Sequence, residues 1–352
     1  MRILINARNA SVAVDAGVIV DTGGRFDVVI DAPDANVRPG LINAHDHLHR
    51  NHYGRLGEPL YRNAHDWAAD IQLRYQRRIA AGRRRPRRSA LLAGAWKNLF
   101  SGVTTVVHHD RWESDFDNRF PLRVVRLATA DNVQAVSSIN PANLYAVHCA
   151  EGTDTKARAD IGELESRGLL TANLLAVHAV AVDRDAIQRI RTAGAAVVWC
   201  PTSNMFMLGA TASDALLTSG IDVLIGSDSL LTGAGNLLDE LRFARARGPL
   251  SDAELERAVG SAAAARLGLA APSIAPGANA DLILIRKPVG EAAAEDVAMV
   301  MVAGVPMVAS PDLAPTIDRV APRGGVHTVA GVRRWANIGA ARAAEGDSNE
   351  SH

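Results

Sequence analysis

The segment at residues 39–47, PGLINAHDH, is an apolar stretch that ends in two histidines two positions apart. Side chains alternate between the two faces of a β-strand, so His45 and His47 project from the same face. Two imidazoles held on a rigid strand can bind one divalent metal ion. A chain of 352 residues with 11 histidines also produces such pairs by chance on solvated turns, so the pair alone leaves both interpretations open.

Three more residues able to bind a metal follow apolar stretches further along the chain. His148 closes the stretch LYAV, His178 closes LLAV, and Asp228 follows VLIGS. Barrel enzymes place their chemistry at the C-terminal ends of parallel strands. A structural role in the core is common for a single histidine, but it does not explain several ligand-type residues that all follow strands. We therefore predict one metal site with an open position for water, in which imidazole and carboxylate ligands favour Zn²⁺, with Fe²⁺ or Mn²⁺ as alternatives.

The elements that must position these residues alternate between apolar strands and helical stretches rich in Ala, Leu and Arg. This alternation, from about residue 39 to about 270, predicts βαβ units and a parallel sheet. The predicted strands are 40–44, 103–108, 122–127, 144–148, 174–178, 195–200 and 222–226. The predicted helices are 89–100, 155–164, 183–192, 237–246 and 251–267, the last opening with an SDAE capping box.

The fold class predicted from this pattern is α/β, a (β/α)₈ TIM-like barrel with a small β-subdomain built from both termini. Residues 39–270 are slightly fewer than the about 250 that such a barrel usually takes. Only one convincing strand lies between His108 and His148, where a full barrel needs two. Residues 132–139 are a weak candidate for a fourth strand; otherwise the barrel is distorted or shortened around strands 3–4.

Three units follow from this division of the chain. Residues 1–38 and 272–310 are predicted to form the composite β-subdomain, and residues 39–271 the barrel. Residues 311–352 are a C-terminal extension, in which we expect the last ~12 residues to be disordered because they are rich in small and polar residues.

The composition is that of an ordinary globular protein, with 48% hydrophobic and 22% charged residues. The formal net charge of zero gives no global field toward nucleic acid or an acidic membrane surface. Two cysteines cannot form a disulfide framework. The N-terminus lacks the apolar core of a signal peptide, and no apolar run approaches the ~18 residues of a membrane span. We expect a cytoplasmic protein with no membrane partner, and a homodimer is left open because dimers are the commonest closed assembly.

The segment from Arg74 to Arg88 contains eight arginines and is the sharpest charge feature of the chain. Such a run usually forms a solvated face. Contact with an anionic substrate or with RNA is the alternative. Tyr75 is the only aromatic residue in the run, and single-stranded nucleic acid is usually held by stacking on aromatic side chains. Nucleic acid is therefore not an expected partner.

Six motifs in order resemble the amidohydrolase superfamily of metal-dependent hydrolases. They are PGLINAHDH at 39–47, HCAE at 148–151, AVH at 176–178, CPTSN at 200–204, GSDS at 226–229 and GANADL at 277–282. The resemblance covers residues 1 to about 305. The His-x-x-Glu form of the second motif is similar to the aminohydrolase branch, which holds cytosine, guanine, thiomethyladenosine and S-adenosylhomocysteine deaminases and triazine hydrolases.

The resemblance implies roles for individual residues. His45, His47, His148 and Asp228 would hold one metal, which lowers the pKa of water toward neutrality. None of the three lysines lies at the C-terminal end of a strand, so the bridging lysine of binuclear relatives is missing and one metal is favoured. Asp228 would accept the proton of water, His178 would orient the nucleophile, and Glu151 would protonate a ring nitrogen. Weaker candidates for substrate contacts are His49, Trp67, His109, Arg111 and Asn204.

The function implied is hydrolysis of a carbon–nitrogen bond other than a peptide bond, most often deamination of an aminated nitrogen heterocycle such as a nucleobase, a nucleoside, a triazine or a pterin. A cyclic-amide or C–Cl hydrolase of the same superfamily is the first alternative. The second is a non-catalytic or RNA-binding protein on an inherited barrel that uses the Arg74–Arg88 run. The partner expected under the first two is a small heterocyclic substrate.

Overall fold

A computed structural model of the chain describes residues 1–117, 120–329 and 332–338. The disorder predicted for the last residues of the chain concerns positions outside these ranges. Eighteen strands lie within them: β1 (Arg2–Ala7), β2 (Ser11–Asp15), β3 (Val18–Val20), β4 (Val28–Ala32), β5 (Asn36–Pro39), β6 (Leu41–Asp46), β7 (Val103–His108), β8 (Arg123–Val125), β9 (Ala128–Ala130), β10 (Tyr145–Cys149), β11 (Leu174–His178), β12 (Ala196–Trp199), β13 (Val223–Ile225), β14 (Leu282–Ile285), β15 (Val297–Val302), β16 (Val305–Ala309), β17 (Gly325–Val329) and β18 (Val332–Ala336).

Helices connect or cover these strands. In the described ranges they are α1 (Ala64–Arg74), α2 (Gln76–Arg83), α3 (Arg87–Leu99), α4 (Thr155–Ser166), α5 (Arg184–Ala193), α6 (Pro201–Leu208), α7 (Asp214–Leu217), α8 (Leu237–Arg247), α9 (Asp252–Ala258), α10 (Ser261–Arg266) and α11 (Ala314–Ile317). None of the helices in the described part of the chain combines the length and the apolar character needed to cross a bilayer.

The middle of the chain forms two parallel sheets. One has the order β6-β7-β8 and the other the order β13-β12-β11-β10-β9. Every residue of β6, β7, β11 and β12 is buried, which explains why these strands read as continuous apolar runs and not as alternating ones. The two sheets meet where β13 approaches β6, since the amide of Ser227, just after β13, donates to the carbonyl of His45 at 3.0 Å. The predicted parallel arrangement is confirmed in these pairings.

A single stretch of chain connects the other edges of the two sheets. β8 pairs with β7, and β9 pairs with β10, although only residues 126 and 127 separate β8 from β9. Of the two alternatives for this region, the weak candidate strand at 132–139 is not a strand in the structure. Asn132 instead caps a short 3₁₀ helix, Val133–Ala135, because its side chain accepts hydrogen bonds from the amides of Gln134 and Ala135.

Strands from both ends of the chain pair with one another beside the parallel sheets. β5 pairs with β14 in a six-stranded sheet of order β17-β18-β16-β15-β14-β5, and Val18 bridges Asn279. The four-stranded sheet β3-β2-β1-β4 packs on it through one buried apolar cluster that includes Ile3, Leu282 and Trp335. The limits of separate domains stay a prediction.

One predicted helix, 251–267, is divided in the structure. The capping box of Ser251 and Glu254 is confirmed and begins α9. Gly260 then takes φ −134° and ψ −109°, which lies outside the helical region, so the chain turns before α10 begins. The apolar period continues through the break, which is why the sequence pattern predicts one helix there.

Candidate metal centre

The strand ends bring the five predicted ligand-type side chains to one place. The ring of His45 lies 5.0 Å from that of His47, 5.0 Å from that of His148 and 5.5 Å from that of His178. One ligand atom from each of His45, His47 and Asp228 lies within 4.8 Å of the others, and the same holds for His45, His148 and His178. The sequence prediction that these residues share a site agrees with this geometry.

The backbone turns sharply at the strand ends that carry the site. Asp228 has φ 50° and His178 has φ 75°, a region that residues with a Cβ seldom adopt. Each such conformation costs about 1–3 kcal/mol and persists only where the surroundings hold it. The amide of Asp228 donates to the carbonyl of His45 at 3.0 Å, and Lys97 Nζ donates to the carbonyl of Asp228 at 2.6 Å. These contacts keep the Asp228 carboxylate directed at the histidines.

Hydrogen bonds set the protonation of two of the imidazoles. His47 Nδ1 lies 2.7 Å from Asp110 Oδ2, and His148 Nδ1 lies 3.1 Å from the carbonyl of Asp131. Both oxygens accept, so Nδ1 carries the proton in each ring and Nε2 keeps its lone pair. Burial lowers the pKa of both His47 and His148 well below the ordinary value. The two rings are therefore neutral, as a metal ligand must be.

Asp228 supplies the negative charge of the site. Its Oδ2 accepts hydrogen bonds from Ser203 Oγ at 2.7 Å and from Thr232 Oγ1 at 2.9 Å. Its Oδ1 lies 3.7 Å from His45 Nε2 and 3.8 Å from His47 Nε2. Burial opposes ionisation, but the close approach of His45 and the electrostatic attraction of the neighbouring histidines hold the pKa of Asp228 well below its ordinary value. The carboxylate is thus ionised and faces the imidazoles.

The donor atoms of these residues fit a bound metal ion. Both ring nitrogens of His45 and Nε2 of His148 are buried, and they have no hydrogen-bond partner among the described residues. Leaving a buried polar atom unpaired costs about 1–3 kcal/mol. Neutral imidazole nitrogens and one carboxylate, directed at a common point, are the ligand set that Zn²⁺ takes in catalytic sites.

His178 and Glu151 form a pair beside this cluster. Asn204 Nδ2 donates to His178 Nδ1 at 2.9 Å, which leaves the ring proton on Nε2, 3.3 Å from Glu151 Oε1. Burial lowers the pKa of His178 to about 3. Burial, reinforced by the negative charges of Asp228 and Asp160, raises the pKa of Glu151 well above its ordinary value. A neutral carboxylic acid and a neutral imidazole can pass a proton without creating an isolated buried charge.

A cavity of about 300 Å³ opens over this pair and the cluster. Its wall includes His47, His148, Glu151, His178 and Asp228, and also Arg50, Trp67, Asp131, Lys156, Asp160 and Met207. Of the five weaker candidates for substrate contacts, Trp67 lines this cavity, with its indole N–H donating to the carbonyl of Leu56 at 3.0 Å.

The other four candidates do not line this cavity. His109 stacks on His148 with 3.9 Å between ring centres, and Asn204 contacts His178. The Arg111 side chain is 82% exposed and lies 3.6 Å from Glu113. His49 lines a neighbouring cavity. Their role as substrate contacts stays a prediction.

Three groups that support the site were not singled out from the sequence. Asp110 follows two histidines at the end of β7, and that position at a strand end could have indicated it. Ser203 lies within the CPTSN motif but was not assigned a role. Lys97 gives no local signal, because it reaches the site from α3 and lies 3.0 Å from the buried carboxylate of Asp46.

Glu240 is a buried carboxyl group behind the site. It lies on α8, is fully buried and accepts hydrogen bonds from the amide of Thr202 at 2.9 Å and from the Thr202 hydroxyl. Burial raises the pKa of Glu240 to about 8. Since Thr202 opens the helix that carries Ser203 and Asn204, Glu240 fixes the helix end from which these side chains reach Asp228 and His178.

Glu240→Gln is expected to flatten the dependence of stability on pH. The folded-state pKa lies above that of an unfolded glutamic acid, so the folded wild type holds a proton that the unfolded chain has lost between about pH 4.3 and the folded value. Wild-type stability therefore falls as pH rises through that window, by up to about 1.4 kcal/mol per pH unit from this group. Urea unfolding at pH 5, 6, 7 and 8 measures the difference, and parallel profiles for the two proteins would contradict it.

Comparison with known proteins finds similar sequences in one family of hydrolases. The model of the amidohydrolase family matches residues 142–307. The 5-methylthioadenosine/S-adenosylhomocysteine deaminase of Halobacterium salinarum is 27% identical over 339 residues, which cover 77% of this chain and 78% of that enzyme. The enzyme of the same name from Pyrococcus furiosus is 26% identical over 67% of this chain and 70% of its own length. The aminodeoxyfutalosine deaminase of Deinococcus radiodurans is 39% identical, but the match spans only 20% of its length.

Solved structures show the same fold. An adenosine deaminase from Xanthomonas campestris with bound zinc has a TM-score of 0.68, with 19% identity over 91% of this chain and 98% of that one. The atrazine chlorohydrolase TrzN from Arthrobacter aurescens, complexed with zinc, has a TM-score of 0.66, with 17% identity over 91% and 99%. These neighbours imply a TIM-like barrel for the parallel sheets. Over residues 142–307 the chain is similar to the amidohydrolase family, and the relatives and solved structures above support that similarity. The curated relatives that it matches include deaminases, in agreement with the His-x-x-Glu motif.

Proposed function

We propose that this protein is a hydrolase that uses one divalent metal ion, zinc by its ligand set, to deaminate an aminated nitrogen heterocycle. The observation that carries the proposal is the Glu151–His178 pair beside the cluster of histidines and Asp228, within one cavity. His45, His47, His148 and Asp228 would hold the metal. The names of the similar deaminases support a small heterocyclic substrate.

The residues of the chain divide the proton transfers between them. A metal held by these ligands supplies Lewis acidity and lowers the pKa of water toward neutrality. Asp228 accepts the proton of the attacking water, since its carboxylate is ionised and lines the cavity. Glu151 is protonated when the substrate binds, and it donates to the ring nitrogen next to the carbon that is attacked. The proton held by Asp228 then passes to the amino group, which leaves as ammonia when the carbon–nitrogen bond breaks, and the proton of the new hydroxyl group returns to Glu151. Asn204 holds the His178 ring so that its Nε2 proton points toward Glu151 and the incoming oxygen. We therefore assign His178 a role in orienting these groups and not in metal binding.

The proposed organisation assigns the chemistry to one unit. Residues 39–271 form the hydrolase barrel, and residues 1–38 with 272–310 form the composite β-subdomain, followed by an extension at 311–352. The passage of one chain segment from β8 to β9 supports a barrel shortened at strands 3–4, because it replaces a full βαβ unit. This shortening removes part of the wall above the site and bears on which substrates fit.

A panel of aminated purines, pyrimidines, pterins and triazines tests the proposal. We expect ammonia release from at least one of them by the zinc-loaded protein, and none after chelation of the metal. Chloride release from a chlorotriazine, or ring opening of a cyclic amide without ammonia, would favour the alternative hydrolase. A protein that binds no metal under mild purification and turns over no compound would contradict both.

A further inference from the structure

A second cavity of about 600 Å³ adjoins the catalytic cavity. Arg50, Trp67 and Ala68 line both cavities, so the two share a wall. We call this second cavity the annex. We propose that the annex binds a ligand with an apolar body and an anionic group, either a carboxylate or a phosphate.

The charge of the annex is of one sign. No aspartate or glutamate is among the described residues that line it, and four arginines are: Arg50, Arg83, Arg85 and Arg87. Two of them are paired with carboxylates outside the lining: Arg50 with Asp110, Nη2 2.8 Å from Oδ1, and Arg87 with Glu113, Nε 3.0 Å from Oε1. Within the described part of the chain, the side chains of Arg83 and Arg85 make no hydrogen bond or ion pair. A guanidinium group without such a partner presents two parallel N–H donors, which match the two oxygens of a carboxylate or a phosphate.

The N-terminus of α3 adds to this positive field. Arg87 and Ala90, in the first turn of the helix, line the annex. Pro86 at the N-cap offers no side-chain hydrogen bond, and the first turn has no acidic residue. The first-turn amides of a helix carry a partial positive charge that favours anions. In most helices a capping side chain or an acidic residue interacts with these amides. In α3 an anion from outside the chain can take that place.

The inner wall of the annex is apolar and rigid. Leu56, Ile71, Ile79 and Leu231 form one buried cluster that lines it. The ring of His52 donates to the carbonyl of Gly82 at 3.2 Å, which fixes the end of α2 that carries Arg83. The remaining ring nitrogen of His52, Nδ1, is buried and has no partner in the described residues. The annex therefore offers an apolar floor and a cationic rim, which together fit an amphiphilic anion.

The shared wall allows two sources for the anion. It can be an arm of the molecule whose ring occupies the catalytic cavity, or a separate small molecule bound beside it. Both use the same contacts, so binding is tested first and the source second.

Phenyl phosphate, titrated calorimetrically into the zinc-loaded protein, tests binding. We expect the double variant R83A/R85A to weaken its affinity at least tenfold. The double variant R77A/R84A removes the same charge from exposed positions of the same run that do not line the annex, and it should bind like the wild type. Binding should persist in His47→Ala, which separates the annex from the metal centre. Equal affinities for R83A/R85A and the wild type, or equal losses in the two double variants, would overturn the proposal.

The source is tested by kinetics, and this arm rests on the proposed deaminase activity. If the anion is an arm of the substrate, R83A/R85A raises KM at least tenfold for a carboxylated substrate and leaves KM for its neutral analogue unchanged, and phenyl phosphate competes with that substrate. If the anion is separate, phenyl phosphate binds without competing. Either result supports the annex. Failure to find any deaminated compound would count against the proposed function, while the calorimetric result would still decide the annex.

Discussion

Glu151→Gln is expected to bind one equivalent of zinc and yet to turn over about 10²- to 10⁴-fold more slowly than the wild type, the range that general acid–base catalysis contributes. The substitution keeps the size and shape of the side chain but removes the acidic proton. The structure gives Glu151 a position next to His178, 3.3 Å from its Nε2, and a raised pKa that keeps the acid protonated until substrate arrives. The loss should fall on kcat, because the group acts on the proton transfers and not on the binding of the metal.

The measurement is ammonia release under saturating substrate, with zinc determined on the same sample. Glu165→Gln is a matched control, because Glu165 lies on the exposed side of α4 and pairs with Arg189 at 3.4 Å, away from the cavity. It should retain wild-type turnover. A Glu151→Gln protein with near wild-type kcat would remove Glu151 from the mechanism, and a protein that lost its zinc would move Glu151 into the ligand set.

His47→Ala is expected to lose the metal and, with it, all measurable turnover. His47 Nε2 faces Asp228 Oδ1 at 3.8 Å, and its other nitrogen is fixed by Asp110, so the substitution removes a donor atom that is oriented toward the metal. A ligand present at 100 times its Kd stabilises the folded state by about 2.7 kcal/mol. Zinc should therefore raise the thermal midpoint of the wild type and leave that of His47→Ala unchanged.

The variant is compared with the wild type by metal analysis after dialysis and by thermal unfolding with and without zinc. His65→Ala serves as the control, since His65 is an exposed histidine that lines the cavity but belongs to none of the candidate metal-binding groups. It should keep one equivalent of zinc. Full zinc occupancy in His47→Ala would show that His47 is not a ligand.

The local pattern of the sequence was enough to predict most of the parallel strands. β7 and β11 begin and end at the predicted residues. A buried strand can be recognised from a few adjacent residues, because it is a continuous apolar run bounded by residues such as Gly, Asp or Asn. The apolar pattern was misleading where two adjacent elements of secondary structure share one continuous pattern. This is the case at Gly260, where the helix breaks, and at residues 126 and 127, where one segment serves two sheets.

For the candidate site, the sequence by itself determined which residues stand at strand ends. His45, His148 and Asp228 were identified because the direction of a strand and the alternation of its side chains are local properties. Only the tertiary structure decided which partners they meet. Asp110 orients His47, Lys97 reaches Asp228 from α3, and arginines at and after the end of α2 line a cavity next to the site. These contacts join residues that are far apart in the chain, and they depend on how helices pack on the sheets, which no local pattern records.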